Sequence, residues 1–207
     1  MITFVLIGII SVVSFVAFSN RTIFHKGLFN PYLIREKNQW YRFFTHAFLH
    51  ADFTHLIFNM LTLFFFGGMV EYNFNRYFGD KGDLLYIVFF FTAALCSSIP
   101  AYYKQRDNIM YNAVGASGAV SAILFAGILF DPLMKIYIFF IPIGIPAVIF
   151  GVLYLILSAR MAKRATDNVA HDTHFWGSVY GFIFPLAINY QLIFVFIDQI
   201  KHGINHF

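Results

Sequence analysis

The sequence contains few charged residues and a single cysteine, and both shortages narrow the class of protein. Charged side chains make up 12% of the 207 residues, against about 25% in soluble globular domains. One cysteine, Cys96, can form neither an internal disulfide nor a cysteine-based metal cluster. The basic residues are scattered and form no patch suited to nucleic acid. The composition therefore excludes an ordinary soluble domain, a disulfide-stabilised domain and a nucleic-acid-binding protein.

Apolar and aromatic residues are abundant and lie in long runs. Hydrophobic residues are 59% of the chain, and 29 residues are phenylalanine. They do not alternate with polar residues as in a membrane β-barrel, so helical membrane spans are predicted. The predicted fold is an all-α membrane protein with one polytopic domain over residues 1–207. The predicted spans are 2–18, 53–70, 84–103, 113–130, 136–157 and 171–188.

The segments between the spans carry further expectations. Residues 19–52 are too polar to cross a membrane and too aromatic to be disordered, so an ordered loop at the membrane interface is expected. The first span has no Lys or Arg ahead of it, which argues against a secretory signal peptide. Pro142 and Pro146 interrupt the fifth span, and we expect them to bend or loosen its helix.

Polar side chains inside three of the spans are the candidates for function, because such groups are costly in a membrane. His55 and Asn59 lie near the start of the second span, Ser117 near the start of the fourth and His174 near the start of the sixth. These three spans begin on the same side of the membrane. The four side chains are therefore expected within about two helical turns of one membrane boundary, where they would form a site.

Small residues on the fourth and sixth spans indicate how these side chains meet. The two sets are Gly118, Ala122 and Ala126, and Gly177 and Gly181. Each set lies along one helix face, and packing one face on the other would let the two backbones approach closely. Ser117 would then meet His174. Taken alone, the small residues and Ser117 also fit a simple helix-packing face without catalytic function.

A serine beside a histidine suggests acyl transfer. Ser117 would be the nucleophile and His174 its general base, while His55, Asn59 and the Ser117 N–H could stabilise an oxyanion. No acidic residue lies deep enough in a span to be a third member. The residues therefore predict a Ser–His dyad.

Three spaced motifs follow one another along the chain. They are His50, His55 and Asn59; Gly115, Ser117 and Gly118; and Ala170, His171, His174, Gly177 and Gly181. This combination resembles the rhomboid intramembrane serine proteases, and the similarity extends over about residues 38–181. The resemblance implies a six-transmembrane-helix bundle of rhomboid type with a long structured first loop.

The resemblance also implies an activity, namely an endopeptidase that cleaves single-span membrane proteins near the outer end of their helix. It assigns Ser117 and His174 to catalysis, and His55, Asn59 and the Ser117 N–H to the oxyanion hole. The residues with supporting roles are His50, His171, Gly115, Gly118, Gly177 and Gly181. Neither a metal nor an organic cofactor is expected. The expected partners are transmembrane protein substrates and the lipid bilayer, with no nucleic acid.

The resemblance implies a multi-pass protein of a bacterial inner membrane with its active site towards the outer face. This orientation puts ten of the fourteen Lys and Arg residues outside, the reverse of the positive-inside rule.

At the position of Ser121, some members of the family carry a tyrosine that stacks on the catalytic histidine. We therefore expect another group to orient His174 here.

Two alternative functions are weighed against proteolysis. The first is a non-catalytic member of the same superfamily that binds membrane-spanning clients, but such a protein is expected to lack the serine or the histidine, and both are present. The second is an ion transporter lined by His46, His50, His55, His171 and His174, which lacks an acidic residue in mid-span. A structural role is expected for His46 and a supporting one for His50.

Overall fold

The computed structural model describes residues 1–137, 143–164 and 170–204. Its helices are α1 (Ile2–Ser19), α2 (Arg21–Gly27), α3 (Pro31–Lys37), α4 (Arg42–Thr45), α5 (Phe53–Phe78), α6 (Gly82–Gln105), α7 (Ser117–Phe130), α8 (Ala147–Arg164), α9 (His171–Ile188) and α10 (Leu192–Ile204). Short 3-10 turns occupy His46–Phe48 and Gly79–Lys81. Two short strands, β1 (Lys135–Ile136) and β2 (Ile145–Pro146), pair antiparallel, with Lys135 opposite Pro146.

Several of these helices are long and apolar enough to cross a membrane. Within the described ranges, the runs that qualify are Ile2–Ser19 and Phe53–Gln105, and the second run consists of α5, its 3-10 turn and α6. The helices α9 and α10 qualify together, with a bend of 114° between them, and α7 is apolar but shorter. The chain is therefore an all-α, multi-pass membrane protein, and its described residues include one small β-ribbon. The count of six spans stays a prediction.

The helices α5 and α6 form an antiparallel hairpin. Gly79 ends α5 with a φ of +61°, a left-handed conformation that glycine adopts without strain. Across the turn, Asn75 Nδ2 of α5 donates to Asp83 Oδ1 of α6 at 2.7 Å. The rings of Phe74 and Phe89 pack with centroids 5.3 Å apart. The hairpin turns at the end of α5 that lies opposite His55 and Asn59.

Glu71, in the C-terminal half of α5, holds the start of α1. Its carboxylate accepts the Ile2 and Thr3 N–H groups at 2.7 and 2.9 Å and the Thr3 hydroxyl at 2.7 Å. The first N–H groups of a helix have no partner within the helix, so a carboxylate there satisfies two of them. Glu71 therefore anchors the start of α1.

The helix α7 lies at the centre of the fold. Every residue from Gly118 to Phe130 is buried. A Cβ on Gly177 of α9 would overlap the carbonyl oxygen of Gly118, and a Cβ on Gly181 would overlap that of Ala122. Only glycine permits so close a backbone approach. The predicted packing of the small residues on α7 and α9 is confirmed.

The predicted fifth span, 136–157, begins too early. Its first part contains β1 and β2, and α8 begins only at Ala147. Pro146 has no N–H to donate and holds Ile145 in the extended conformation, so a helix starts more readily after it than before it. Pro142, which was expected to bend the same helix, lies outside the described residues.

Two other predicted boundaries move for local reasons. The helix in the span predicted at 113–130 begins four residues later than predicted, at Ser117. The reason is that Ala113 and Phe29 form a β-bridge, with both N···O distances at 2.9 Å. The span predicted at 53–70 continues to Phe78, since polar residues such as Asn73 bond within the helix. The last predicted span, 171–188, has the same bounds as α9.

Candidate active site

A cavity of about 770 Å³ opens where the first turns of α5, α7 and α9 meet. Ser117 of α7, His174 of α9, and His55 and Asn59 of α5 all line it. These are the four side chains that the sequence places in one layer at a membrane boundary. The structure thus brings them to one cavity, although they are far apart in the chain.

The turn before Ser117 depends on a glycine. Gly115 has a φ of +121°, which side chains rarely adopt, and a Cβ there would lie 2.6 Å from His55 Cε1. The helix α7 then begins at Ser117, with Ala116 as its N-cap residue. Gly115 therefore serves two purposes, since it makes the turn and lets the His55 ring approach the backbone beside the serine.

Two buried histidines hold the backbone that leads into this turn. The carbonyl oxygen of His46 accepts the Gly115 N–H at 3.0 Å. The Nε2 atom of His50 accepts the Ala116 N–H at 3.4 Å, and the His50 ring packs edge-on against the His55 ring at 5.0 Å. His50 is fully buried and lies behind the cavity wall. Its contacts fit the supporting role expected for it.

Burial keeps both of these histidines neutral. It lowers the pKa of His46 to about 4. Burial, with a smaller contribution from His55, lowers the pKa of His50 to about 3. The His46 Nε2 atom has no hydrogen-bond partner among the described residues.

Within the described ranges, no three His, Cys, Asp or Glu side chains are grouped to hold a metal ion.

His174 lies in the first turn of α9. Its carbonyl oxygen accepts the Ser178 hydroxyl at 2.8 Å, and its ring meets the His171 ring edge-on with centroids 5.9 Å apart. One turn after His174, Gly177 contacts Gly118, the residue directly after Ser117. His171 is half-buried and is not one of the residues that line the cavity. The two histidines of α9 therefore occupy different environments.

Asn59 is 6% exposed, and its Nδ2 atom donates to the carbonyl oxygen of His55 at 2.9 Å. An amide nitrogen carries two protons, so a second N–H can point into the cavity. A donor held in this way is oriented before any substrate arrives, which is what an oxyanion hole requires.

Two of the described acidic residues close to the site have structural contacts. Asp52 Oδ1 accepts the His55 N–H at 2.8 Å and so caps the start of α5. Asp172 pairs with Lys104 Nζ at 3.0 Å, joining the end of α6 to the start of α9. Both contacts position the helices that carry the site.

Two residues of this region escaped the sequence analysis. Tyr154 of α8 lines the cavity, and its hydroxyl lies 3.0 Å from that of Ser121. Ser14 of α1 is fully buried and lies 2.9 Å from His50 Nδ1. Both are hydroxyls within apolar helices, and a polar group inside a span is itself a signal. What they contact depends on how α1 and α8 pack, which the sequence does not show.

Comparison with known proteins gives the family. A family model described as the rhomboid domain matches residues 37–191. RHOMBOID-like protein 12, mitochondrial, of Arabidopsis thaliana is 30% identical over 143 residues, which are 65% of this chain and 42% of that protein. Rhomboid-like protein 11, chloroplastic, of the same plant is 31% identical over 96 residues, 46% of this chain and 31% of that protein.

A bacterial protein is similar as well. Rhomboid protease AarA of Providencia stuartii is 31% identical over 117 residues, 53% of this chain and 40% of that protein. This chain thus spans less than half the length of each of these relatives. The family model nevertheless covers most of the chain and contains all three motifs around the cavity. This chain belongs to the rhomboid family.

Proposed function

We propose that this protein is an intramembrane serine endopeptidase, a single polytopic domain that hydrolyses single-span membrane proteins near the outer end of their helix. One observation carries the proposal. Ser117, His174, His55 and Asn59 line one cavity at the N-terminal ends of three helices in a multi-pass membrane protein. A nucleophile, a base and several oxyanion donors are together what acyl transfer needs.

The chemistry follows from the roles of these side chains. Ser117 Oγ attacks the scissile carbonyl carbon while His174 takes the hydroxyl proton. His174 then gives this proton to the leaving amine, and an acyl-enzyme remains. A water molecule, deprotonated by His174, hydrolyses the ester and restores Ser117. The bundle supports such a dyad, since the backbone contact between Gly118 and Gly177 fixes α7 against α9.

Negative charge that develops on the substrate oxygen has three proposed partners. They are the Ser117 N–H, the His55 ring and the second N–H of Asn59. Ser117 is the first residue of α7, and the first N–H groups of a helix are unpaired and lie at its positive end. Gly115 supports this arrangement by admitting the His55 ring. The chemistry requires neither a metal ion nor an organic cofactor.

The substrate must expose a carbonyl that a helix would hide in a hydrogen bond. We therefore propose that substrates carry Gly, Pro or other helix-weakening residues near the cleaved bond.

We further propose that the protein lies in a bacterial inner membrane, with the cavity towards the outer face. The similarity to a Providencia stuartii protein supports a bacterial setting, while the two plant relatives bear mitochondrial and chloroplastic names. A fusion reporter at Gly79–Lys81 that reads outside would contradict this orientation.

The proposal is tested with purified protein in detergent. Two matched membrane-spanning substrates are compared, one with a Gly-Pro pair near the outer end of its helix and one with leucines there. We expect cleavage of the first and little or none of the second, and covalent labelling of the enzyme by a fluorophosphonate. The absence of both cleavage and labelling would contradict the proposal. Tight binding of both substrates without cleavage would favour a client-binding protein.

A further inference from the structure

We propose that Ser14 of α1 is a positioning residue for the reaction, which acts through His50 on the backbone that precedes Ser117. The inference rests on the proposed function for its effect on catalysis. Ser14 lies on a different helix from every proposed catalytic group, and it does not line the cavity. It reaches the site through two hydrogen bonds, one from Ser14 to His50 and one from His50 to Ala116, while a third fixes its hydroxyl on Phe48.

The contacts are consecutive and buried. The Ser14 hydroxyl donates to the carbonyl oxygen of Phe48 at 2.9 Å, and its oxygen lies 2.9 Å from His50 Nδ1. On the other side of the ring, His50 Nε2 accepts the Ala116 N–H at 3.4 Å. Ser14 and His50 both have no exposed surface. Water therefore cannot substitute for a lost partner without opening the core.

The order of protons along this line follows from the chemistry of each group. A carbonyl oxygen only accepts, so the single hydroxyl proton of Ser14 is used on Phe48. The Ser14 oxygen must then accept a proton from His50 Nδ1. A neutral imidazole carries one N–H, which leaves Nε2 as an acceptor for the Ala116 N–H. The Ser14 hydroxyl thus selects the tautomer of His50 that can hold Ala116.

Loss of the Ser14 hydroxyl removes this selection. Without Ser14, the tautomer that accepts the Ala116 N–H would bury its Nδ1–H without a partner, and the other tautomer would set its Nε2–H against the Ala116 N–H. Either tautomer leaves a buried donor unsatisfied. The backbone would shift at the residue before Ser117, and small displacements of a nucleophile reduce catalysis strongly.

Ser14→Ala is the test, and Ser11→Ala is the matched control, because Ser11 lies on the same helix one turn away and is half-buried. We expect Ser14→Ala to lower kcat about tenfold or more and to slow fluorophosphonate labelling by a similar factor, with KM changed less than about twofold. Ser11→Ala should match the parent. A parental kcat in Ser14→Ala would overturn the inference, as would an equal loss in Ser11→Ala.

A spectroscopic readout separates positioning from mere stability. In the parent, 15N NMR of the labelled histidines should show His50 protonated at Nδ1, and Ser14→Thr, which keeps the hydroxyl, should preserve this tautomer. A parental His50 protonated at Nε2 overturns the inference even if Ser14→Ala does not fold. If the parent shows the Nδ1 tautomer but neither cleaves nor reacts with the probe, the proposed function fails while the hydrogen-bond line stands.

Discussion

Gly177 of α9 faces Gly118 of α7 so closely that a Cβ on Gly177 would overlap the Gly118 carbonyl oxygen. Gly118 follows Ser117 directly, and Gly177 lies one turn after His174 on the same helix. The distance between the two helices at this point therefore controls how the proposed nucleophile and base meet. The contact couples the packing of the bundle to its chemistry.

Gly177→Ala should harm both stability and activity. The added methyl group meets backbone atoms, which cannot rotate away, and overpacking of this kind costs about 1–3 kcal/mol. Because α9 must move outward, we expect cleavage to fall about 100-fold. Thermal unfolding in detergent and the rate of substrate cleavage measure the two effects.

The control for this variant is Gly8→Ala in α1, where an added Cβ meets no atom within 4 Å. That substitution should leave cleavage unchanged and stabilise the helix by about 0.5–1 kcal/mol, since alanine favours helix over glycine. Equal behaviour of the two variants would show that the contact between α7 and α9 does not set the geometry of the site.

Asn59→Ala should impair turnover without abolishing it, because it removes one of several proposed oxyanion donors. The expected loss in kcat is about 10²–10³-fold, or ~3–4 kcal/mol. Asn73→Ala is a close control, since Asn73 Nδ2 donates to the Met69 carbonyl oxygen at 2.9 Å, the same contact within the same helix that Asn59 makes. Equal kinetics in the two variants would remove Asn59 from the site.

The two histidines of α9 should differ in importance. His174 lines the cavity and His171 does not. We expect His174→Ala to be as inactive as Ser117→Ala, and the double variant to be no worse than either, because a nucleophile and its base act as a unit. His171→Ala should retain measurable cleavage. If a folded His171→Ala were inactive while His174→Ala cleaved, the base would be His171.

The sequence predicts much of this site, because its motifs are local and its helices are strongly apolar. The bounds of α9 agree with the predicted span, and the small residues on α7 and α9 pack as expected. The start of α8 was misplaced, since an apolar run does not reveal that part of it pairs as a ribbon ending at Pro146. Tyr154 and Ser14 were missed because their partners lie on other helices.

The buried histidines give the stability of the protein a predictable pH dependence. In the folded state the pKa of His46 is about 4 and that of His50 about 3, both lowered from 6.5 by burial. At a pH between the folded-state pKa of each histidine and 6.5, the unfolded chain binds more protons than the folded one. Stability should therefore fall as the pH drops below about 6.5, by about 1.4 kcal/mol per pH unit for each histidine.

Chemical unfolding in detergent at several pH values between about 6.5 and about 5 measures this slope above the range in which most carboxylates titrate. The matched variant is His46→Phe, which keeps an aromatic ring beside Phe29 and should lose about half of the slope whatever its absolute stability. A slope unchanged by this variant would mean that His46 is not the neutral, buried group described above.

The central claim is that Ser117 is the nucleophile of a membrane protease. It is tested most directly by treating the purified parent and Ser117→Ala with a fluorophosphonate, mapping the modified residue by mass spectrometry, and measuring cleavage of a membrane-spanning substrate. We predict an adduct on Ser117 in the parent, and neither adduct nor cleavage in a folded Ser117→Ala. An adduct on another residue, or cleavage by Ser117→Ala, would contradict the account.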